Sequence, residues 1–276
     1  MLRVAVLVCA LTFAAQDALA QSFRCTRSQG NRGPSIRWLS RDLSFGVSPR
    51  VLEILGGRDE VVLASVQAGF DSWSGPSCSD ILFAFEGVDA RFDPDFRRMG
   101  DNANGVGAPE TWALGEETIA VTITSFDSMG RILDADIELN VVSFDFVGPG
   151  QVCSGTQQQD LQNVIAHEVG HMLGLGHPPS TPQNRAATMF ASSEPCETNK
   201  RTLEEGDVRG LCTIYPLGGS TRACYEADDI GFVVVDQDTD RGGCSAGGAS
   251  HAWVGVLALY LARRRIASAM RSGTSS

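Results

Sequence analysis

Four histidines occur in the 276 residues, and three of them fall in one short stretch, HEVGHMLGLGH, residues 167 to 177. Residues four apart on a helix face the same side, so His167 and His171 present two imidazoles to one point, and Glu168 flanks the same space. Gly174 can take the left-handed conformation that a β-carbon resists, which lets the chain reverse and bring His177 back as a third ligand. Three neutral imidazoles with a fourth tetrahedral position open describe a catalytic zinc site, whereas a structural site fills all four positions. Zinc so held lowers the pKa of a bound water to about 7, and Glu168 is placed to take the proton as the water attacks a carbonyl. The implied chemistry is hydrolysis, and a silent metal site would have no need of Glu168.

A helix must carry this motif. Thr156 followed three residues later by Gln159 is a capping-box pattern, and Leu161, Val164, Ile165, Val169, Met172 and Leu173 form an apolar stripe that Gly174 stops. A second helix is expected from Asp59 to Trp73, where Val62, Val66, Phe70 and Trp73 recur at steps of three and four. Between them come a strand from Ile81 to Phe85, a Gly/Asn/Asp-rich loop from Phe92 to Gly107, and two β runs, Thr118 to Ser125 and Ile132 to Val142, that read as a hairpin. Ile81, Phe83, Phe85, Ile123 and Leu139 are expected in the core. Asp134 and Asp136 either hold calcium beside the sheet or alternate on a solvent face.

With 43% hydrophobic and 20% charged residues, the chain is neither a coiled coil, a collagen-like repeat nor a disordered protein. Its ends read differently from its body. Residues 1 to 20 run from Arg3 through an apolar stretch to Ala18-Leu19-Ala20, the pattern of a secretory signal cut after Ala20. Residues 217 to 243, rich in Gly and Asp, read as a linker. Asp236, Asp238 and Asp240 alternate there as in a calcium loop, but Arg241 stands where a Gly is needed, so a solvated acidic stalk is favoured. Residues 244 to 276 read as a tail in which the apolar run Ala252 to Ala262 is followed by Arg263-Arg264-Arg265, too short for a permanent span and suited to a transient membrane association. The net charge is −11; without both ends, residues 1 to 20 and 263 to 276, 17 basic residues face 32 acidic ones, a net −15. Such a body repels phosphate backbones, which excludes nucleic acid as a partner.

An exported chain can crosslink its thiols. Setting aside Cys9 in the signal and Cys244 in the tail leaves Cys25, Cys78, Cys153, Cys196, Cys212 and Cys224, enough for three disulfides among fifteen pairings. Cys196 to Cys212, closing a short loop around one helix, is the preferred pair.

The pattern HExxHxxGxxH at 167 to 177 resembles the metzincin signature, and Thr188-Met189-Phe190 resembles the Met-turn beneath the zinc in that clan. Within it the chain looks most like the matrixins. Arg37-Trp38 with Leu43-Ser44-Phe45 resembles their first strand, Asp80 to Phe85 their third, and Leu203 to Pro216 their last helix, so the likeness covers roughly residues 36 to 216. The order Gly-Gly-Cys, apolar run, Arg cluster over residues 242 to 265 resembles the C-terminal sorting tails of myxobacterial surface proteins.

The resemblance implies an α+β metzincin fold: a mixed twisted sheet of about five strands, three main helices and a small irregular C-terminal part, all within residues 21 to 216. It implies that His167, His171 and His177 bind one catalytic zinc ion, that Glu168 is general base and then general acid, and that Met189 supports the site without ligating. Thr118 to Ser125 would be the edge strand to which an extended peptide substrate adds, with a side-chain pocket near His177 to Phe190. No second, structural zinc is expected, because the remaining histidine is His251 in the tail. Ala191 stands where astacins and serralysins place a tyrosine that assists the oxyanion. Cys25, in Phe23-Arg24-Cys25, sits somewhat as a matrixin latency cysteine would; a disulfide is preferred because six body cysteines pair evenly.

The expected protein is a monomeric, secreted or cell-surface zinc metalloendopeptidase acting on protein or peptide substrates. The alternative is a catalytically silent, metal-binding surface adhesion module.

Overall fold

The computed structural model describes residues 21–56, 59–94, 102–225 and 243–246. The expected signal sequence, the Asp236 to Asp240 alternation, His251 and the apolar run from Ala252 lie outside the described residues.

In chain order the elements are β1 (Arg24–Cys25), the single turn α1 (Ser28–Asn31), β2 (Asp42–Val47), α2 (Pro49–Leu55), α3 (Asp59–Ser74), β3 (Leu82–Val88), β4 (Gly105–Gly107), β5 (Thr118–Phe126), β6 (Ile132–Leu139), β7 (Asp145–Val147), β8 (Gln158–Asp160), α4 (Leu161–Met172), β9 (Leu175–Gly176), β10 (Ser192–Ser193), α5 (Glu205–Ile214) and β11 (Gly243–Ala246). Five strands make the main sheet in the order β5-β6-β4-β2-β3, and the short strands β11 and β10 continue it beyond β5. β3, β2, β4 and β6 run parallel, while β5 is antiparallel to β6 as the expected hairpin requires. The fold is α+β, a mixed sheet packed on α3 and α4.

Alternation along the strands builds the core. Leu43, Phe45 and Val47 of β2, with Ala135, Ile137 and Leu139 of β6, are buried against the helices. Val62, Val66, Phe70 and Trp73 form the buried face of α3, as their spacing predicts. Phe70 stacks on Phe45 with ring centroids 3.6 Å apart. Gly69 lets α3 and α4 approach closely: a β-carbon there would lie 2.5 Å from Ile165 Cγ2.

Several expectations need correction. α4 starts at Leu161, not in the Thr156 turn, because Asp160 takes the cap: its carboxylate accepts from Asn163 N–H at 2.9 Å, while Gln158–Asp160 pair with β7. β6 stops at Leu139 rather than Val142, where Asn140 Oδ1 accepts from Ser143 N–H at 3.0 Å and bends the chain. On β5 it is Thr122 that is buried, and Ile123 is only partly covered. Asp134 and Asp136 do not face solvent. Both are buried together with Glu138 on the second face of β6, and Asp136 Oδ1 accepts from Gly105 N–H at 2.8 Å.

The six body cysteines form three disulfides, but not with the preferred partner. Cys25 joins Cys224, Cys78 joins Cys212, and Cys153 joins Cys196. Cys196 cannot reach Cys212, because its segment is held against β8, with Cys196 N–H donating to Gln158 C=O at 3.0 Å. Cys25 is thus spoken for by a disulfide, which removes it as a latency thiolate. The Cys25–Cys224 bridge, with Cys224 N–H donating to Ser35 Oγ at 2.9 Å, also holds residues 217 to 225, expected as linker, against the body.

Candidate metal centre

The last four carbonyls of a helix lack partners within it. In α4 the lower turn is closed by Leu173 N–H on Val169 C=O at 3.0 Å and Gly174 N–H on His171 C=O at 2.9 Å. Distant residues take the carbonyls beyond. Trp38 Nε1–H donates to Met172 C=O at 2.9 Å, Tyr215 O–H to Leu173 C=O at 2.9 Å, and Thr26 N–H to Gly174 C=O at 2.8 Å. Burial pushes the Tyr215 phenol up, so it stays an O–H donor. Trp73 Nε1–H donates to Ala166 C=O at 2.7 Å, midway along the helix. At the start, Arg201 Nε–H donates to the capping Asp160 at 2.8 Å. The helix is therefore anchored at both ends and at its centre.

Gly174 has φ +88°, the left-handed turn expected of it, and a β-carbon there would collide with Ile36 C=O. The reversal brings His177 over α4. The three Nε2 atoms converge: His167 and His171 are 3.1 Å apart, His167 and His177 3.1 Å, and His171 and His177 3.0 Å. A tetrahedral zinc with bonds of 2.0 to 2.1 Å separates its ligand nitrogens by about 3.3 Å, so this cluster fits the ion with a small outward adjustment. Among the described residues it is the one group of three or more His, Cys, Asp or Glu side chains close enough to share a metal.

The tautomers suit the purpose. His167 Nδ1 lies 2.6 Å from Thr188 C=O, and His171 Nδ1 lies 2.8 Å from Leu175 C=O. A carbonyl only accepts, so each Nδ1 carries the proton and each Nε2 offers its lone pair to the centre. Burial first, then mutual repulsion and the charge of Lys200, hold His167 and His177 well below the ordinary imidazole range; burial brings His171 down to about 4. All three are neutral at pH 7, as ligation requires.

Glu168, fully buried, has its Oε2 2.8 Å from Thr122 Oγ1 on β5, a contact that connects the carboxylate to the sheet. Met189 lies under the helix. Its sulfur occupies the space a β-carbon on Gly170 would need, and that β-carbon would also fall 2.7 Å from Trp73 Cζ2. The turn bearing Met189 is fastened from α5: Asp207 accepts from Thr188 N–H at 2.8 Å, Met189 N–H at 3.1 Å and Glu204 N–H at 2.9 Å. Burial pushes the Asp207 carboxyl up, against these three donors, which favour the anion.

The structure thus brings His167, His171 and His177 together, sets Glu168 of the same helix against Thr122, and sets Met189 against Gly170. Thr122, Asp207, Trp38 and Tyr215 escaped that reading, since a threonine in a strand or an aspartate in a helix carries no spacing signal.

A three-histidine cluster on a helix that turns at glycine, with a methionine turn below and a five-stranded mixed sheet above, is consistent with the metzincin fold. Residues 89–216 match the matrixin family model. Metalloendoproteinase 1-MMP of Arabidopsis thaliana is 32% identical over 184 residues, 65% of this chain and 44% of that protein. Metalloendoproteinase 1 of Glycine max is 37% identical over 62 residues, 22% of this chain and 19% of that protein. The chain spans less than half the length of either relative.

Proposed function

We propose that this chain is a secreted zinc endopeptidase of matrixin type in which His167, His171 and His177 hold one zinc ion and Glu168 is general base and then general acid. The observation that carries this is the convergence of three neutral Nε2 atoms within 3.1 Å of one another, two of them on the helix that also carries Glu168. When bound, zinc supplies a Lewis acid that acidifies water and polarises the scissile carbonyl. Glu168 accepts a proton from the attacking water and returns it to the leaving amine nitrogen, while Thr122 steadies the carboxylate. Met189 fills the floor of the site and keeps α4 at its height. An extended peptide pairs its main chain with β5, and the segment from His177 to Phe190 walls the side-chain pocket. Ala191 stands where astacins and serralysins place a tyrosine, so that position supplies no phenol for the oxyanion charge.

Export is supported by residues 1 to 20 and by three disulfides, which persist in oxidising compartments. No helix among the described residues is long and apolar enough to cross a membrane. We assign sorting or surface attachment to the tail from Cys244 onward.

Replacing Glu168 by Gln tests the proposal. Loss of about 10²–10⁴-fold in kcat with zinc retained is expected of a general base. A variant that performs as well as the parent would mark a metal-holding adhesion module instead.

A further inference from the structure

An extended strand occupies the edge of the sheet nearest the metal centre. Without it, β5 would present unpaired N–H and C=O groups on the side away from β6. β11 takes that place. It runs antiparallel to β5, with Gly243 opposite Val121, Cys244 opposite Ala120 and Ser245 opposite Thr118. On its other side it runs parallel to β10, with Ser245 opposite Ser192 and Ala246 opposite Ser193.

Both flanks belong to the metal centre. On β5, the partner of Gly243 is the neighbour of Thr122, whose hydroxyl reaches Glu168. β10 begins three residues after Met189 and is tied to α4, where Asn163 Nδ2–H donates to Ser193 Oγ at 3.2 Å. β11 also packs against α4 itself. The segment therefore lies between the strand whose Thr122 reaches Glu168 and the strand tied to Asn163, both of which contact the helix that carries His167 and His171.

We propose that Gly243–Ala246 is a tethered occupant of the substrate cleft, so that the chain competes with its own peptide substrates until this segment leaves. This rests on the peptidase reading above, because the line taken by β11 is the one assigned there to a substrate main chain. The reach is ample: Tyr225 and Gly243 are 18 residues apart in sequence, enough for about 60 Å of extended chain. Tethering also makes a four-residue strand effective. A short linker holds its end at an effective concentration on the order of 1 mM, about a hundredfold above a substrate supplied at ~10 µM. β11 can thus bind weakly by its own contacts and still exclude a better substrate.

The test compares the full chain with its Gly243→Pro/Ser245→Pro variant. Proline lacks the N–H that a ladder needs and is confined to sheet edges. Neither position is a disulfide cysteine, so zinc content and the thermal transition serve as folding controls. Two readouts are taken: hydrogen exchange of β5 amides, with β6 as internal reference, and cleavage of a quenched fluorescent peptide. Faster exchange over residues 118–125 in the variant is expected, with KM lower by about tenfold and kcat unchanged. Equal β5 exchange in the two proteins overturns the proposal even if both cleave, and leaves the peptidase reading standing. Faster exchange with zinc bound but no cleavage by either form sinks the peptidase reading and the competition with it.

Discussion

Glu168 and Thr122 divide the work of one carboxylate. Glu168 was legible because it sits between two histidines four apart; Thr122 was not, because it lies 46 residues away and only pairing of β5 over α4 brings its hydroxyl to 2.8 Å. A hydrogen bond to a charged group is worth about 1.5–3 kcal/mol, so Thr122→Val should lower kcat by about 10- to 100-fold. KM and zinc content should stay as they are if the hydroxyl acts, as proposed, by orienting Glu168; a change confined to KM would contradict this role. The histidines carry a second consequence. The folded protein keeps His171 neutral down to about pH 4, whereas the unfolded chain takes up its proton near 6.5. The unfolded state therefore binds more protons between these values, and stability falls as pH drops through the window, by about 3 kcal/mol from His171 alone. His167 and His177 act in the same direction. Denaturant unfolding of the chelated protein at pH 7 and pH 4.5 should show the loss, and it should shrink in His171→Ala; an unchanged loss in that variant would count against the cause.

α4 shows how an element inherits its position from distant side chains. Its apolar stripe and its stop at Gly174 could be read directly, because periodicity and a left-handed glycine are local signals. Its start could not. Thr156 with Gln159 looks like a capping box, and the competition was decided by Asp160, whose carboxylate also binds Arg201 across a tertiary contact. The carbonyls at its last residue and the one after are likewise taken by Trp38 and Tyr215, more than a hundred residues apart in sequence. The same logic makes Gly170 testable. Alanine is favoured over glycine in a helix by about 1 kcal/mol, yet here its methyl would meet Met189 and Trp73. Overpacking a filled core costs about 1–3 kcal/mol, so sterics should win and Gly170→Ala should lower the thermal midpoint and zinc affinity together. A stabilised variant would mean that Met189 is less tightly placed than the structure has it.

The whole molecule is closed by crosslinks whose partners a sequence cannot choose. Six cysteines allow fifteen pairings, and the choice depends on which loops the sheet brings together. Cys25 and Cys224 lie 199 residues apart, and the bridge binds the N-terminal strand to the end of the body. In the chain-entropy model a loop of that length is worth about 5 kcal/mol. Replacing both cysteines by Ala should therefore lower unfolding free energy by several kcal/mol; a loss near zero would show that residues 217–225 stay on the body without help. The β5–β6 hairpin and the histidine cluster were legible; the order of the remaining strands was not. Nor was the strand laid across β5, since a Gly-Cys-Ser-Ala stretch has no strand pattern of its own and forms one only where two backbone edges await it.

The central claim is that the three histidines hold a zinc ion that, with Glu168, cleaves peptide bonds. The most direct measurement is zinc content by elemental analysis of the purified disulfide-bonded chain, run beside cleavage of a denatured protein mixture with and without a zinc chelator. One zinc per chain, with cleavage that the chelator abolishes and added zinc restores, is the predicted result. A chain without zinc, or cleavage indifferent to the chelator, would contradict it.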